Sequence, residues 1–129
     1  MLDVADRLAI CELIARHGHL VDAGRLDDLG EVFVADVVYD LTDLGSGTTV
    51  GLDQLRNMAL EAGERNPVGH HVTNTIVEDI LDKDRVRVRS KAIGVRADGS
   101  AGSLTYVDVV VRTGSSPEAS RTASTIVPA

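Results

Sequence analysis

A chain of 129 residues, 43 % hydrophobic and 26 % charged, is long enough for a single domain (residues 1–129) with its own core. A formal charge of −7 argues against phosphate backbones as partners, and one Phe, two Tyr and no Trp argue against a base-stacking surface, so no nucleic acid is expected. The lone cysteine, Cys11, excludes an intramolecular disulfide; the start Met1-Leu2-Asp3-Val4 is not of secretory type, and no run approaches the roughly 20 apolar residues of a membrane span, so a cytoplasmic protein is expected.

From Asp3 or Asp6 to about Val21 the period is helical, with Ile10, Ile14, His17 and Val21 on one stripe and Leu13 and Leu20 at its edge. Asp3 and Asp6 suit the N-cap and first turn, and Asp22-Ala23-Gly24 breaks the helix, Gly24 being suited to a left-handed C-terminal residue. Leu26 to Phe33 reads as a second, short helix. Val37 to Thr42 reads as a strand and Gly45-Ser46-Gly47 as a loop. A third helix runs from about Leu52 to Glu64, burying Leu55, Met58 and Ala59, and Asn66-Pro67 stops it.

Past Pro67 the helical period disappears. Three long strands are expected, at about His70–Leu81, Val86–Arg96 and Leu104–Thr113, with a weaker one from about Ala119 to Val127. Helices first and antiparallel strands later predict an α+β domain with its helices on one face of a curved sheet.

Strand alternation sorts the side chains. In the second long strand Arg85, Arg87, Arg89 and Lys91 share a face best read as solvated or interfacial. Val86, Val88, Ser90, Ala92 and Gly94 share the other. The shrinking inward row has two readings: unfilled volume for a ligand, or a closer approach of the helices. In the first long strand His70, Val72, Asn74 and Ile76 point one way and His71, Thr73, Thr75 and Val77 the other, and the more apolar company favours His70 and Asn74 as the inward pair.

The helix ending in Val21-Asp22, the run Leu26-x-x-Leu29-x-x-x-Phe33-x-x-Asp36, the strand through Tyr39, and His70-x-x-x-Asn74 together resemble the SnoaL-like branch of the nuclear transport factor 2-like superfamily. Within it the chain is similar to the hexachlorocyclohexane dehydrochlorinase and scytalone dehydratase types. The resemblance implies a cone-like curved antiparallel sheet with three N-terminal helices enclosing a pocket, and a homodimer formed through the outer sheet face. It places Asp22 and His70 on a catalytic Asp–His dyad, Tyr39 on a pocket aromatic and Arg121 on a pocket arginine. His17 stands where the dehydrochlorinase type has a lysine, and Val21 where the dehydratase type has a tyrosine.

Each residue also has a purely structural reading. Asp22 fits a cap for the turn before the second helix, and His70 fits a half-buried histidine bonded to a backbone carbonyl. Read chemically, Asp22 fixes the tautomer of His70, whose other nitrogen removes a proton or activates a water. The expected substrate-binding set is His17, Tyr39, Met58, Asn74 and Arg121, with Leu20 and Val88 as further pocket wall. No cofactor and no metal site are expected, since His70 and His71 splay apart and no ligand cluster accompanies them. The expected activity is cofactor-independent elimination or isomerisation of a small cyclic or polyketide-like molecule. The alternatives are an aldol-type cyclase and a non-catalytic binding or association domain.

Overall fold

The computed structural model describes the backbone of residues 2–112 and 119–128 and the side chains of residues 2–112. The chain runs through α1 (Val4–Asp22), a 3-10 helix (Leu26–Glu31), β1 (Phe33–Asp40), a 3-10 turn (Thr42–Leu44), β2 (Thr48–Val50), α2 (Leu52–Ala62) and a 3-10 turn (Gly63–Arg65). The strands β3 (Gly69–Asp82), β4 (Arg85–Val95), β5 (Ala101–Arg112) and β6 (Ala119–Pro128) complete it. They form one six-stranded sheet in the order β2-β1-β6-β5-β4-β3. All neighbours are antiparallel except β1 and β6, which run parallel. A parallel pair needs a long crossover, and here the crossover is everything between β1 and β6. The result is the α+β cone that the sequence predicts.

Helix α1 is closed at both ends by its own sequence. The Asp3 carboxylate accepts from Asp6 N–H at 2.8 Å and the Asp6 carboxylate accepts from Asp3 N–H at 3.2 Å, a reciprocal capping box. At the other end Gly24 takes φ +71°, Gly24 N–H donates to the Val21 carbonyl and Arg25 N–H to the Leu20 carbonyl. This is a Schellman termination, and it stops the helix at Asp22. Ile10, Leu13, Ile14 and Leu20 then pack with Phe33, Val37, Val88 and Val110 in the core.

Several boundaries differ from the sequence expectation. The second helix is a 3-10 turn that ends at Glu31, and Phe33 already belongs to β1, because Val32 to Val34 and Val37 to Tyr39 make one β-branched and aromatic run. The third helix ends at Ala62, where Gly63 turns to φ +50°, and Thr48 to Val50 form an unexpected strand beside β1.

Alternation fails in the middle of β3. Asn74 has φ +57° and the β3–β4 register shifts between Thr73 and Ile76. A bulge of this kind inverts the facing of the residues beyond it. His70 and Val72 are half-buried before it and Thr75 and Val77 after it, whereas Asn74 is exposed and Ile76 is 54 % exposed. Asn74 therefore does not join His70 on the inward face.

The basic row on β4 is partnered by the strands on either side, β3 and β5. Arg85 pairs with Asp82, Arg87 with Asp79 and Arg89 with Glu78, while Lys91 donates to Thr105 Oγ1. Among the described residues, no helix is long and apolar enough to cross a membrane.

The N-terminal box gives two expected outcomes. Asp3→Ala costs about 1 kcal/mol of stability by chemical denaturation, the usual worth of an N-cap. The Asp3 backbone N–H, and then the Arg112 guanidinium at 3.0 Å, hold the Asp6 carboxyl below its ordinary value. A depressed carboxyl contributes stability above the unfolded-state value of about 4 and loses it as pH falls through its folded value. Asp6→Asn is expected to flatten the loss of stability below about pH 4 in an acid titration followed by circular dichroism.

Candidate active site

The site is built where the end of α1 meets the start of β3. The His70 N–H donates to both carboxylate oxygens of Asp22, at 3.2 and 2.9 Å, and the His70 ring contacts Asp22 Oδ1 through Nδ1 at 2.6 Å. The two side chains are 16 % and 28 % exposed, so the pair is sheltered without being sealed. A backbone donor and a ring donor from the same residue hold the carboxylate in one orientation.

This arrangement sets aside the capping reading of Asp22. The 3-10 helix that begins at Leu26 has Arg25 as its N-cap and no side-chain cap bond, so Asp22 does not close that turn. A negative charge in the last turn also opposes the helix dipole, at a typical cost of roughly 0.3–1 kcal/mol. The carboxylate is placed for His70 rather than for its own helix.

His70 lines a cavity of about 470 Å³ together with His17 and Val21 of α1, Tyr39 of β1, Tyr106 of β5, Thr49 of β2, and Leu55, Met58 and Ala59 of α2. Leu41 and Ser46 come from the loop before β2, and Asn66 from the segment after α2. Asp22 lines the neighbouring hollow, which shares Val21, Ala59 and Asn66 with this cavity and adds Gly24, Leu26, Pro67 and Val68. The histidine thus faces the cavity and the aspartate stands behind it. Among the described residues the Nε2 of His70 has no hydrogen-bond partner.

All three aromatic residues of the chain gather around His17. Its ring lies edge-on to Phe33, Tyr106 and Tyr39, with centroids 5.2, 5.9 and 6.4 Å away. Only 6 % of His17 is exposed. Edge contacts of this kind fix ring orientation and give one end of the cavity an aromatic wall with polar tips. At the other end Thr49 Oγ1 lies 3.6 Å from Met58 Sδ, and Asn66 Nδ2 donates to the Ala59 carbonyl at 2.9 Å, tying the outgoing chain to α2.

The structure therefore brings His17, Tyr39, Met58 and His70 to one cavity, with Asp22 bonded to His70 from behind. It leaves His71 exposed. Asn74 is outside the cavity wall because the bulge turns it away. Arg121 lies on β6 in register with Val110 and Phe33, and its side chain is outside the described residues. Leu20 and Val88 belong to the core and not to the cavity.

The small inward residues of β4 do not open the cavity either. A Cβ on Gly94 would meet Pro67 Cγ at 2.9 Å, and Ser90 and Ala92 are buried, so the closer approach of neighbouring segments is what they permit. Alternation alone does not reveal Tyr106, since it shares its strand face with Asp108 while Val107, Val109 and Val111 make the other face the more apolar one in sequence. Among the described residues no three His, Cys, Asp or Glu side chains group in a way that would hold a metal ion.

The absence of tryptophan leaves the fluorescence of an added naphthol unobscured. Saturable binding of 2-naphthol is expected for the native chain, and Ala59→Phe, which fills the cavity from α2 without adding an indole, is expected to weaken it at least tenfold in a fluorescence titration, on the order of 1.4 kcal/mol.

A family model described as a SnoaL-like domain matches residues 3–118. Among solved structures, a protein from Novosphingobium aromaticivorans provisionally named an aromatic ring hydroxylase is 28 % identical, with a TM-score of 0.81 over 98 % of this chain and 91 % of its own. A second protein from that organism, provisionally named a scytalone dehydratase, is 18 % identical with a TM-score of 0.74 over 93 % and 81 %. Aln2 from a Streptomyces species is 19 % identical with a TM-score of 0.78 over 99 % and 93 %. No curated protein matches the chain. The two lower likenesses establish the fold, and the family match covers nearly the whole sequence. The chain belongs to the SnoaL-like family, within the nuclear transport factor 2-like fold.

Proposed function

We propose that the protein is a cofactor-independent acid–base enzyme of the lyase or isomerase type, acting through Asp22 and His70 on a small cyclic or polyketide-like molecule. The observation that carries this reading is the 2.6 Å contact between Nδ1 and Oδ1 on a histidine that lines a cavity of about 470 Å³. A carboxylate on Nδ1 sets the Nδ1–H tautomer, directs the basic Nε2 to the cavity and stabilises the imidazolium once a proton has been taken. The SnoaL-like family supports the reading because it includes scytalone dehydratase-like proteins.

The chemistry starts with a C–H bond beside a carbonyl. Nε2 takes the proton, and the electron pair passes into an enolate whose oxygen needs a donor. Tyr39, Tyr106 and His17 supply donors on the cavity wall. In an elimination the enolate expels a β-hydroxyl, which leaves as water with the proton returned by the imidazolium. In an isomerisation the imidazolium returns its proton to another carbon. An aldol-type cyclisation would use the same enolate.

We further propose that the protein works in the cytoplasm as a homodimer through the outer sheet face, where Ile93 is 41 % exposed.

Bicyclic β-hydroxy ketones, whose dehydration to enones is followed by ultraviolet absorbance, test the reading. Native turnover is expected to fall roughly 10²- to 10⁴-fold in Asp22→Asn and at least as far in His70→Ala. Turnover unchanged by Asp22→Asn removes the aspartate from the mechanism. Tight 2-naphthol binding with no turnover of any member of the panel favours the binding domain.

A further inference from the structure

Helix α1 carries a glycine in its interior, Gly18, at helical backbone angles that do not require glycine. A glycine there weakens a helix relative to alanine, so its presence calls for a steric reason. The reason is His70. A Cβ built on Gly18 would stand 2.6 Å from the His70 carbonyl oxygen and 3.4 Å from the His70 Cβ. The first distance is shorter than any ordinary Cβ contact, and the atom it meets is backbone, which cannot swing aside.

Gly18 and Asp22 are four residues apart and lie on one face of α1. β3 is an edge strand of the sheet. The N–H and C=O of one strand residue point to the same side, and at His70 that side is the free edge, toward α1. Asp22 satisfies the N–H. Gly18 makes room for the C=O. The same helix face thus covers both backbone groups of His70, and its approach sets where the carboxylate stands relative to Nδ1.

We infer that Gly18 is a positioning residue of the dyad: its missing side chain sets the α1–β3 distance at which Asp22 reaches the His70 ring. This rests on the acid–base reading for its effect on rate, but not for its effect on the histidine. A methyl group at residue 18 moves α1 and β3 apart, and a helix moves as a rigid body, so Asp22 withdraws with it. The contact at risk is the 2.6 Å one between Nδ1 and Oδ1.

The test compares Gly18→Ala with the native chain, in native and Asp22→Asn backgrounds, using ¹⁵N-histidine-labelled protein. Long-range ¹H–¹⁵N correlations read the His70 tautomer directly. Gly18→Ala is expected to keep the native circular dichroism and to shift His70 from the Nδ1–H tautomer to a mixture. Turnover of the β-hydroxy ketones should drop about 10- to 100-fold, the cost of a misplacement on the order of 1 Å. In the Asp22→Asn background the same substitution should cost less than about threefold, because residues acting through one contact are not additive.

An unchanged His70 tautomer in Gly18→Ala overturns the inference, whatever the activity. A full, additive loss in the Asp22→Asn background also overturns it. So does failure of Gly18→Ala to fold in stabilising sucrose, which would make the glycine a requirement of the fold. If the native chain turns over nothing while the tautomer still responds, the acid–base reading fails and the positioning role stands.

Discussion

The architecture of the site depends on one close approach, that of the last turns of α1 to the free edge of β3 at His70. Three features converge there. Gly18 removes the side chain that would keep the elements apart, the Schellman turn at Gly24 ends the helix just past the contact, and Asp22 presents its carboxylate to both the N–H and the ring of His70. An exposed edge strand normally carries unpaired backbone groups that invite other strands. Here the same helix covers that edge at His70 and equips it with a polar pair, so edge protection and the candidate chemistry share a set of atoms.

Local stability would not choose these residues. An acidic residue in a last helical turn opposes the dipole, and a glycine in a helix interior loses backbone entropy. Both are offset by tertiary contacts made only when α1 docks on β3. Such local conflicts, resolved by long-range contacts at one place in the fold, are expected at functional or strained sites. The rest of α1 is locally consistent, with its capping box, its buried stripe and its glycine termination.

The general plan was legible because it rests on local signals. The helical stripe of α1, the proline after α2 and the turn residues between the long strands each have a near-neighbour cause. The dyad was not legible in that way. Asp22 and His70 are 48 residues apart, and only the family pattern joined them. Parity chose His70 over His71 correctly, since the bulge lies beyond both. It misplaced Asn74 because a residue at φ +57° shifts the register, and nothing in the pattern Val-Thr-Asn-Thr-Ile announces a left-handed asparagine. The inward glycine of β4 likewise reads equally well as space or as contact until Pro67 is seen packed against it. The place of Tyr106 is set by the His17 ring, on which Phe33 and Tyr39 also converge from other elements.

The proposed chemistry requires that Asp22 hold the His70 ring with its proton on Nδ1 and its basic nitrogen toward the cavity. Neutron diffraction from a perdeuterated crystal at about pH 8, where an ordinary histidine is neutral, locates that proton. A deuteron on Nδ1 directed at Asp22 Oδ1 and a bare Nε2 facing the cavity are expected. A deuteron on Nε2, or an Asp22 carboxylate turned away from the ring, would contradict the proposed chemistry.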